Sequence, residues 1–482
     1  MGTNTSYEAV IGLEVHAQLQ TESKIFCGCK VGFGEPPNSL TCPVCLGLPG
    51  ALPVLNKKAV EYAMRAILAT GGTVRNRSVF ARKNYFYPDL PKGYQISQYD
   101  RPVGVGGQIH YRVGKEDSKV CRLIRIHLEE DAGKSLHPEK GEDYSRVDLN
   151  RCGTPLVEIV TEADLRTPEE AYSYLVKLKQ LLQYTEVCSG DMEKGHLRCD
   201  ANVSVRPVGE AAFGTRTEIK NLNSFKAVER SLRFEIDRQT GLLKNGGVVE
   251  QETLLWNEKQ QTAEPMRSKE ESHDYRYFPE PDLVNLLISD EWIAEVRHSL
   301  PEFPDTRAAR FVSQYGIREY DAAVLTDNRV LADYFEQTAA ACADKFAASN
   351  WIQTELLGII NETGEDIASF RVRPAMLAEL LNKIGAKEIS GKIAKTVWEE
   401  MLVSGKTPAS IIAERGLVQI SDDKALIPIV ERVIADNPDN VAKLKSGKTN
   451  VFGFFVGQVM KATNGQANPE LVNRLLKERL GV

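Results

Sequence analysis

Two hydrophobic periodicities divide the chain. Through residues 1–290 apolar residues recur in short runs broken by glycine and proline, as in Ala9-Val-Ile-Gly-Leu13 and Ala201-Asn-Val-Ser-Val205. β-Branched runs between turn residues predict a sheet joined by long loops. Side chains two positions apart on a strand share a face, so Glu14 with His16, Asp200 with Asn202 and Glu218 with Lys220 form same-face pairs. One amphipathic helix is predicted over 168–182, with Thr167 as its N-cap and Pro168 as its first residue.

From about residue 291 the apolar period becomes helical. Helices are expected from Pro374 to Ile384, stopping at Gly385, and from Lys392 to Met401. Three more are expected, one opened by Thr407-Pro408 and ending at Gly416, one capped by Ser421 and one opened by Asn468-Pro469. A hinge is expected at Ser404-Gly-Lys-Thr-Pro408. The pattern predicts an α+β protein with a mainly antiparallel sheet domain over 1–290. A helical domain over 291–405 and a small all-α domain over 406–482 follow.

With 482 residues the chain exceeds what one core organises, which agrees with that division. Its 42% hydrophobic and 26% charged residues are ordinary for a globular protein. No apolar run approaches the length of a membrane span, and the N-terminus has no basic-then-apolar leader. Nine cysteines without a regular framework fit a reducing compartment, so a cytoplasmic protein is expected. The net charge of −6 hides an asymmetry. After residue 440, Lys443, Lys445, Lys448, Lys461, Arg474, Lys477 and Arg479 face only Glu470 and Glu478. A basic end on an acidic body suits a polyanionic partner, although a solvated helical face has the same composition.

Two constellations carry chemistry. Cys27-x-Cys29 and Cys42-Pro-Val-Cys45 have ligand-type spacing and suit a four-thiolate structural zinc site in the 27–45 loop. No βαβ pattern surrounds them, as a redox Cys-x-x-Cys would require. The second constellation is acidic: Glu14, His16, then Glu129, Glu130 and Asp131 after His127, then Asp200 and Glu218. Oxygen donors with a few imidazoles suit Mg²⁺, and separate surface carboxylates are the competing reading.

The segment from Phe80 to Tyr99 is different in kind. It holds four tyrosines, Arg82, Lys83, Lys92, two prolines and two glutamines. Such a rigid, aromatic and basic loop can stack a base and meet phosphate, or it can be an ordered surface loop. Its core, Arg82-Lys-Asn-Tyr-Phe-Tyr-Pro-Asp-Leu-Pro-Lys-Gly-Tyr-Gln-Ile-Ser-Gln98, resembles a signature of the B subunits of bacterial tRNA-dependent amidotransferases. Further stretches resembling that family are Val10–His16, Glu129–Ser135, Val147–Ile159, Leu197–Asn202, Glu218–Phe225, Asp274–Pro281 and Gly457–Ala462. Their order along essentially the whole chain makes the resemblance specific.

The resemblance implies a glutamine-synthetase-like cradle that phosphorylates the side-chain carboxylate of Glu or Asp esterified to tRNA(Gln) or tRNA(Asn). Ammonia from a glutaminase partner then forms the amide, so the enzyme is a C–N ligase with glutamine as amido donor. Residue by residue, it implies Glu14, His16, Glu130, Asp200 and Glu218 as Mg²⁺ ligands, with Glu129 a weaker candidate and Glu130 also catalytic. Lys83 and Tyr85 are implied as catalytic and cofactor-binding residues at the nucleotide and ammonia path. ATP, Mg²⁺ and structural Zn²⁺ are the implied cofactors. An amidase A subunit, a small C subunit, the two tRNAs and the cognate non-discriminating aminoacyl-tRNA synthetase are the implied partners. The resemblance also implies a tRNA-gripping tail.

Absences agree with that division of labour. Gly133-Lys-Ser, Gly405-Lys-Thr and Gly447-Lys-Thr each lack the earlier glycine of a P-loop, where Leu128, Glu400 and Ala442 stand instead. No Ser-Lys amidase motif and no Cys–His pair for glutaminase work is evident. A standalone metallohydrolase or a non-catalytic RNA-binding scaffold would use the same features; the first would need no tRNA and the second would cleave no ATP. The archaeal E subunit is also similar in its cradle, but it carries an inserted domain for which this chain has no room.

Overall fold

The computed structural model describes residues 5–114, 116–136, 143–266, 275–417, 420, 422–446, 448–463 and 465–481. The chain forms two compact units, Met1–Phe303 and Pro304–Val482.

The first unit is built on a ten-stranded sheet. Its central strands run in the spatial order Thr217–Leu222, Leu197–Pro207, Tyr7–Gln18, Pro155–Thr161 and Lys119–Glu130, all antiparallel neighbours. The pairing of Thr217–Leu222 with Thr253–Asn257 is parallel. One face is apolar: Leu13, Val15, Ile126, Leu128, Val157, Ile159, Ala201 and Ile219 are at most 1% exposed. Helices Lys57–Ala69, Pro168–Tyr184 and Phe225–Lys244 pack on it through residues such as Met64, Leu178 and Leu232. Each such side chain contributes about 1.5–3 kcal/mol by leaving water. Thr167 caps the second helix by accepting from Glu170 N, with Pro168 in its first turn.

A small sheet of Phe278–Pro279, Ala81–Asn84 and Tyr94–Ser97 carries the aromatic loop. Its register sets Phe278 against Arg82 and Lys83 against Gln95. Helix Asp290–His298 buries Val296 in the core of this unit.

The second unit is helical and contains two separate cores. One runs from Phe311 to Ile412 and includes Phe335, Leu377, Trp398 and Met401. The other collects Leu426, Val430, Phe455, Val459, Leu475 and Leu476. Helix Pro408–Arg415, capped by Thr407 and ended by Gly416 at φ 62°, puts Ile411 and Ile412 into the first of these cores. Ser421 lies outside the described residues; Asp422 caps helix Asp423–Ala435 by accepting from Lys424 N. Asn468 caps Pro469–Leu480. Among the described residues, no helix is long and apolar enough to cross a membrane.

Candidate active site and metal centres

Because one face of the sheet is covered by helices, alternation sends the polar residues to the other. The Tyr7–Gln18 strand places His16 opposite Glu158 and Glu14 opposite Asp200; Glu158 in turn sits opposite His127. His16 Nε2 lies 3.4 Å from both Glu129 Oε1 and Glu158 Oε2. His127 Nε2 lies 3.4 Å from Glu158 Oε2 and 3.8 Å from Glu129 Oε2. Glu158 thus bridges two imidazoles, and Ser97 Oγ of the small sheet donates to Glu129 Oε2 at 3.3 Å. Beside this group, Glu14 accepts from Asn202 Nδ2 at 2.9 Å. Lys220 Nζ lies 3.3 Å from Glu218 and 3.6 Å from Asp200.

The electrostatics couple clustered carboxylates to the cations around them. Burial raises the Glu14 carboxyl above its usual range, and Glu158 and Glu218 raise it further against the Asn202 hydrogen bond. Burial opposes charge on His127, but Glu158 and Glu129 outweigh it and push the imidazole up to about 9. Burial likewise works against ionised Glu158, yet His127 and His16 hold it well below the carboxylate range. The ligand atoms of His16, Glu129 and Glu158 lie within 4.8 Å of one another. An imidazole and carboxylates that repel one another fit a hard divalent cation.

Four of the residues expected as ligands, Glu14, His16, Asp200 and Glu218, share this face, and so does Glu129. Glu130 is not brought to it. Adjacent residues on a strand point to opposite faces, and the Glu130 carboxylate turns to the far side. There Oε1 accepts from Ile96 N at 2.8 Å and pairs closely with Lys92. A cavity of about 190 Å³ adjoins this pair, lined also by Phe26, Cys45 and Tyr94. Glu130→Ala would strand the Lys92 ammonium, whose side chain is 9% exposed. We expect a loss of about 3–5 kcal/mol in folding stability by urea unfolding, as for a broken buried pair.

Lys83 lies on the small sheet, 4.7 Å over the Tyr275 ring, and is half-buried. Burial opposes its charge, but Glu129, Tyr277 and Glu158 raise its pKa. Tyr85 meets Tyr275 and Tyr87 edge-on. Arg82, one of the two basic residues that the loop could offer to phosphate, is fixed within the small sheet. It donates to Glu280 at 2.7 and 2.9 Å and to Asp282 at 3.2 Å, and it stacks on Tyr94 at 4.1 Å. The sequence reading missed Glu158 as a site residue. It is the one charged side chain in the buried Pro155–Thr161 strand, and that isolation was the available signal.

The second constellation also assembles. The sulfurs of Cys27, Cys29, Cys42 and Cys45 lie within 4.8 Å of one another. Backbone bonds shape the two turns: Lys24 N donates to Cys29 O, and Leu46 N donates to Cys42 O. Cys45 Sγ accepts from Cys42 N at 3.1 Å and from Lys24 Nζ at 3.6 Å. The Cys27 thiol, followed by the Cys42 N–H and Lys24, lowers the Cys45 thiol to about 4 against its burial, while the Cys27 thiol is raised by the same hydrogen bond. Four thiols that stabilise a thiolate among themselves fit a tetrahedral zinc ion.

Comparison with known proteins covers both units of the chain. Residues 9–294 match the family model described as the GatB/GatE catalytic domain, and residues 333–480 match the GatB domain. The aspartyl/glutamyl-tRNA(Asn/Gln) amidotransferase B subunit of Caldanaerobacter subterraneus subsp. tengcongensis is 56% identical over 474 residues, 98% of this chain and 99% of that protein. The B subunit of Geobacter sulfurreducens is 55% identical over 480 residues, with 98% and 99% covered. That of Carboxydothermus hydrogenoformans is 54% identical over 478 residues, again with 98% and 99% covered. The chain therefore belongs to the family of aspartyl/glutamyl-tRNA(Asn/Gln) amidotransferase B subunits.

Proposed function

We propose that this chain is the kinase and transamidase component of a cytoplasmic, glutamine-dependent tRNA amidotransferase. It works beside an amidase A subunit and a small C subunit. Its substrates are Glu-tRNA(Gln), Asp-tRNA(Asn) or both, and the cognate non-discriminating aminoacyl-tRNA synthetase supplies them. The observation that carries the reading is the convergence of His16, Glu129, Glu158, Glu14, Asp200 and Glu218 on one sheet face, opposite Lys83.

A carboxylate is a poor electrophile because attack must displace an oxide. In the proposed reaction a side-chain carboxylate oxygen attacks the γ-phosphorus of ATP, the bond to the bridging oxygen breaks, and ADP leaves. Ammonia nitrogen then attacks the acyl carbon, phosphate departs, and the nitrogen loses a proton. His16, Glu129 and Glu158, with Glu14, Asp200 and Glu218 alongside, would hold Mg²⁺, which supplies charge neutralisation for phosphate and carboxylate. Lys83 provides a fixed positive charge on the opposite wall, where it would meet phosphoryl oxygens. Tyr275 lies against it and Tyr85 meets Tyr275 edge-on; together they would limit water access, which an acyl phosphate requires. Glu130 acts from the other side of the strand, through Lys92 and the backbone of the small sheet. The second unit ends in a tail whose exposed lysines would hold tRNA phosphates.

The direct test is an assay of the copurified complex with both mischarged tRNAs, ATP and glutamine. Amide formation on neither tRNA would overturn the reading. ATP cleavage without tRNA would favour a hydrolase, and tRNA binding without ATP cleavage a scaffold.

The four cysteines would hold a structural zinc ion that pins the 27–45 loop. The pinning reaches the sheet: Ile25 N donates to Gly153 O and Gly153 N donates to Asp131 O. Cys42→Ser with Cys45→Ser should remove about one zinc per chain by elemental analysis and lower the melting temperature. Full zinc retention in the double variant would contradict the assignment.

A further inference from the structure

The acidic face has an aromatic edge that no step above uses. Tyr99 and Tyr277 stack with ring centroids 4.3 Å apart and planes 8° from parallel. Tyr277 in turn meets Tyr275 edge-on at 6.0 Å. Neither stacked ring belongs to the hydrophobic core of this unit. Tyr99 is 49% exposed, so the stack reaches the surface of the unit. An exposed flat ring already aligned on a second ring is poorly accounted for as packing, because it buries little apolar area.

Its position is specific. Tyr99 follows Ser97 by two residues, and Ser97 Oγ reaches Glu129 at 3.3 Å. Tyr277 precedes Phe278, which pairs with Arg82, so Tyr277 stands beside Lys83. The stack therefore borders the carboxylates proposed to hold the reacting centre, within about two strand residues or roughly 7 Å of Ser97. Both substrates in the proposed reaction carry an adenine on the same molecule as their reactive group. ATP ends in one, and the tRNA bears its amino acid on a terminal adenosine. A preformed aromatic face accepts such a ring with little ordering cost.

We infer that the Tyr99–Tyr277 stack is a binding platform for an adenine ring, with Tyr99 offering the outer face. This inference rests on the proposed function for the identity of the ligand but can be tested by binding alone. The experiment uses the full complex and equilibrium binding of two ligand pairs, ATP against GTP and uncharged tRNA ending in CCA against the same tRNA ending in CC. The variants are Tyr99→Ala, Tyr99→Leu, which keeps apolar bulk without a π-face, and Tyr99→Phe.

The expected result is roughly tenfold loss of the adenine-dependent part of binding in the Ala and Leu variants, typical of removing a stacking ring. Tyr99→Phe should keep parental binding, and all three should melt like the parent. Loss in the nucleotide arm assigns the platform to ATP, and loss in the tRNA arm assigns it to the terminal adenosine. Unchanged preference for adenine in both arms would overturn the inference, as would equal loss in Tyr99→Phe. A complex that binds both adenine ligands through Tyr99 yet forms no amide would refute the proposed function and leave the platform standing.

Discussion

Glu158→Gln should reduce tRNA-stimulated ATP cleavage by about 10²-fold or more, the scale seen when a transition-state charge loses a main support. The substitution keeps the side chain's size but removes the charge that holds both His16 and His127 at 3.4 Å. The Mg²⁺ concentration for half-maximal activity should rise as well, because Glu158 lies within the cluster that would bind the ion. Glutamine hydrolysis by the proposed amidase partner should persist. Glu130→Gln makes the contrasting case: its side chain faces Lys92 and Ile96, so the Mg²⁺ requirement should move far less. Steady-state ATP cleavage across a Mg²⁺ titration separates the two. Parental activity and parental Mg²⁺ dependence in Glu158→Gln would remove Glu158 from the site.

Ending the chain after Leu417 should weaken tRNA binding strongly while leaving ATP binding and assembly of the complex intact. This cut falls between the two helical cores, so the first core keeps its buried residues. It removes Lys443, Lys445, Lys448, Lys461 and Lys477, all exposed. Arg474 is already engaged by Asp423 at 2.7 Å, and Arg479 lies 3.4 Å from Glu431, so the lysines are the better phosphate ligands. The log–log dependence of tRNA affinity on salt should flatten by roughly one unit per lost phosphate contact. A cut at Ser404 should behave differently. It also removes Ile411 and Ile412 from the first core, and each large buried aliphatic removed costs about 2–5 kcal/mol. Unchanged affinity and salt slope after the Leu417 cut would make the basic surface a solvated face only.

The parts legible in the sequence were those set by neighbours in the chain. Thr167 with Pro168, Thr407 and Asn468 begin helices because a capping side chain acts on amides two or three residues ahead. The cysteine pairs were legible because ligand spacing is a local property. Glu158 was not, because its value comes from the antiparallel register that sets it opposite His16 and His127, more than a hundred and about thirty residues away in sequence. The choice between Glu129 and Glu130 turned on the phase of one strand. Each precedes the same turn, and only the pairing of Leu156 with Glu129 and Pro155 with Glu130 decides which carboxylate joins the histidines. Arg82 illustrates the same limit: its basic character suggested phosphate, while Glu280 arrives from almost two hundred residues away to occupy it.

Isotope transfer tests most directly whether the acidic face activates a carboxylate by phosphorylation. Glutamate carrying ¹⁸O in its side-chain carboxylate is esterified to the tRNA, and the complex is supplied with ATP and glutamine. Each amide formed should release one inorganic phosphate bearing a single ¹⁸O, and Glu158→Gln should suppress this phosphate and the amide together. Amide formation accompanied by unlabelled phosphate would contradict activation by phosphorylation.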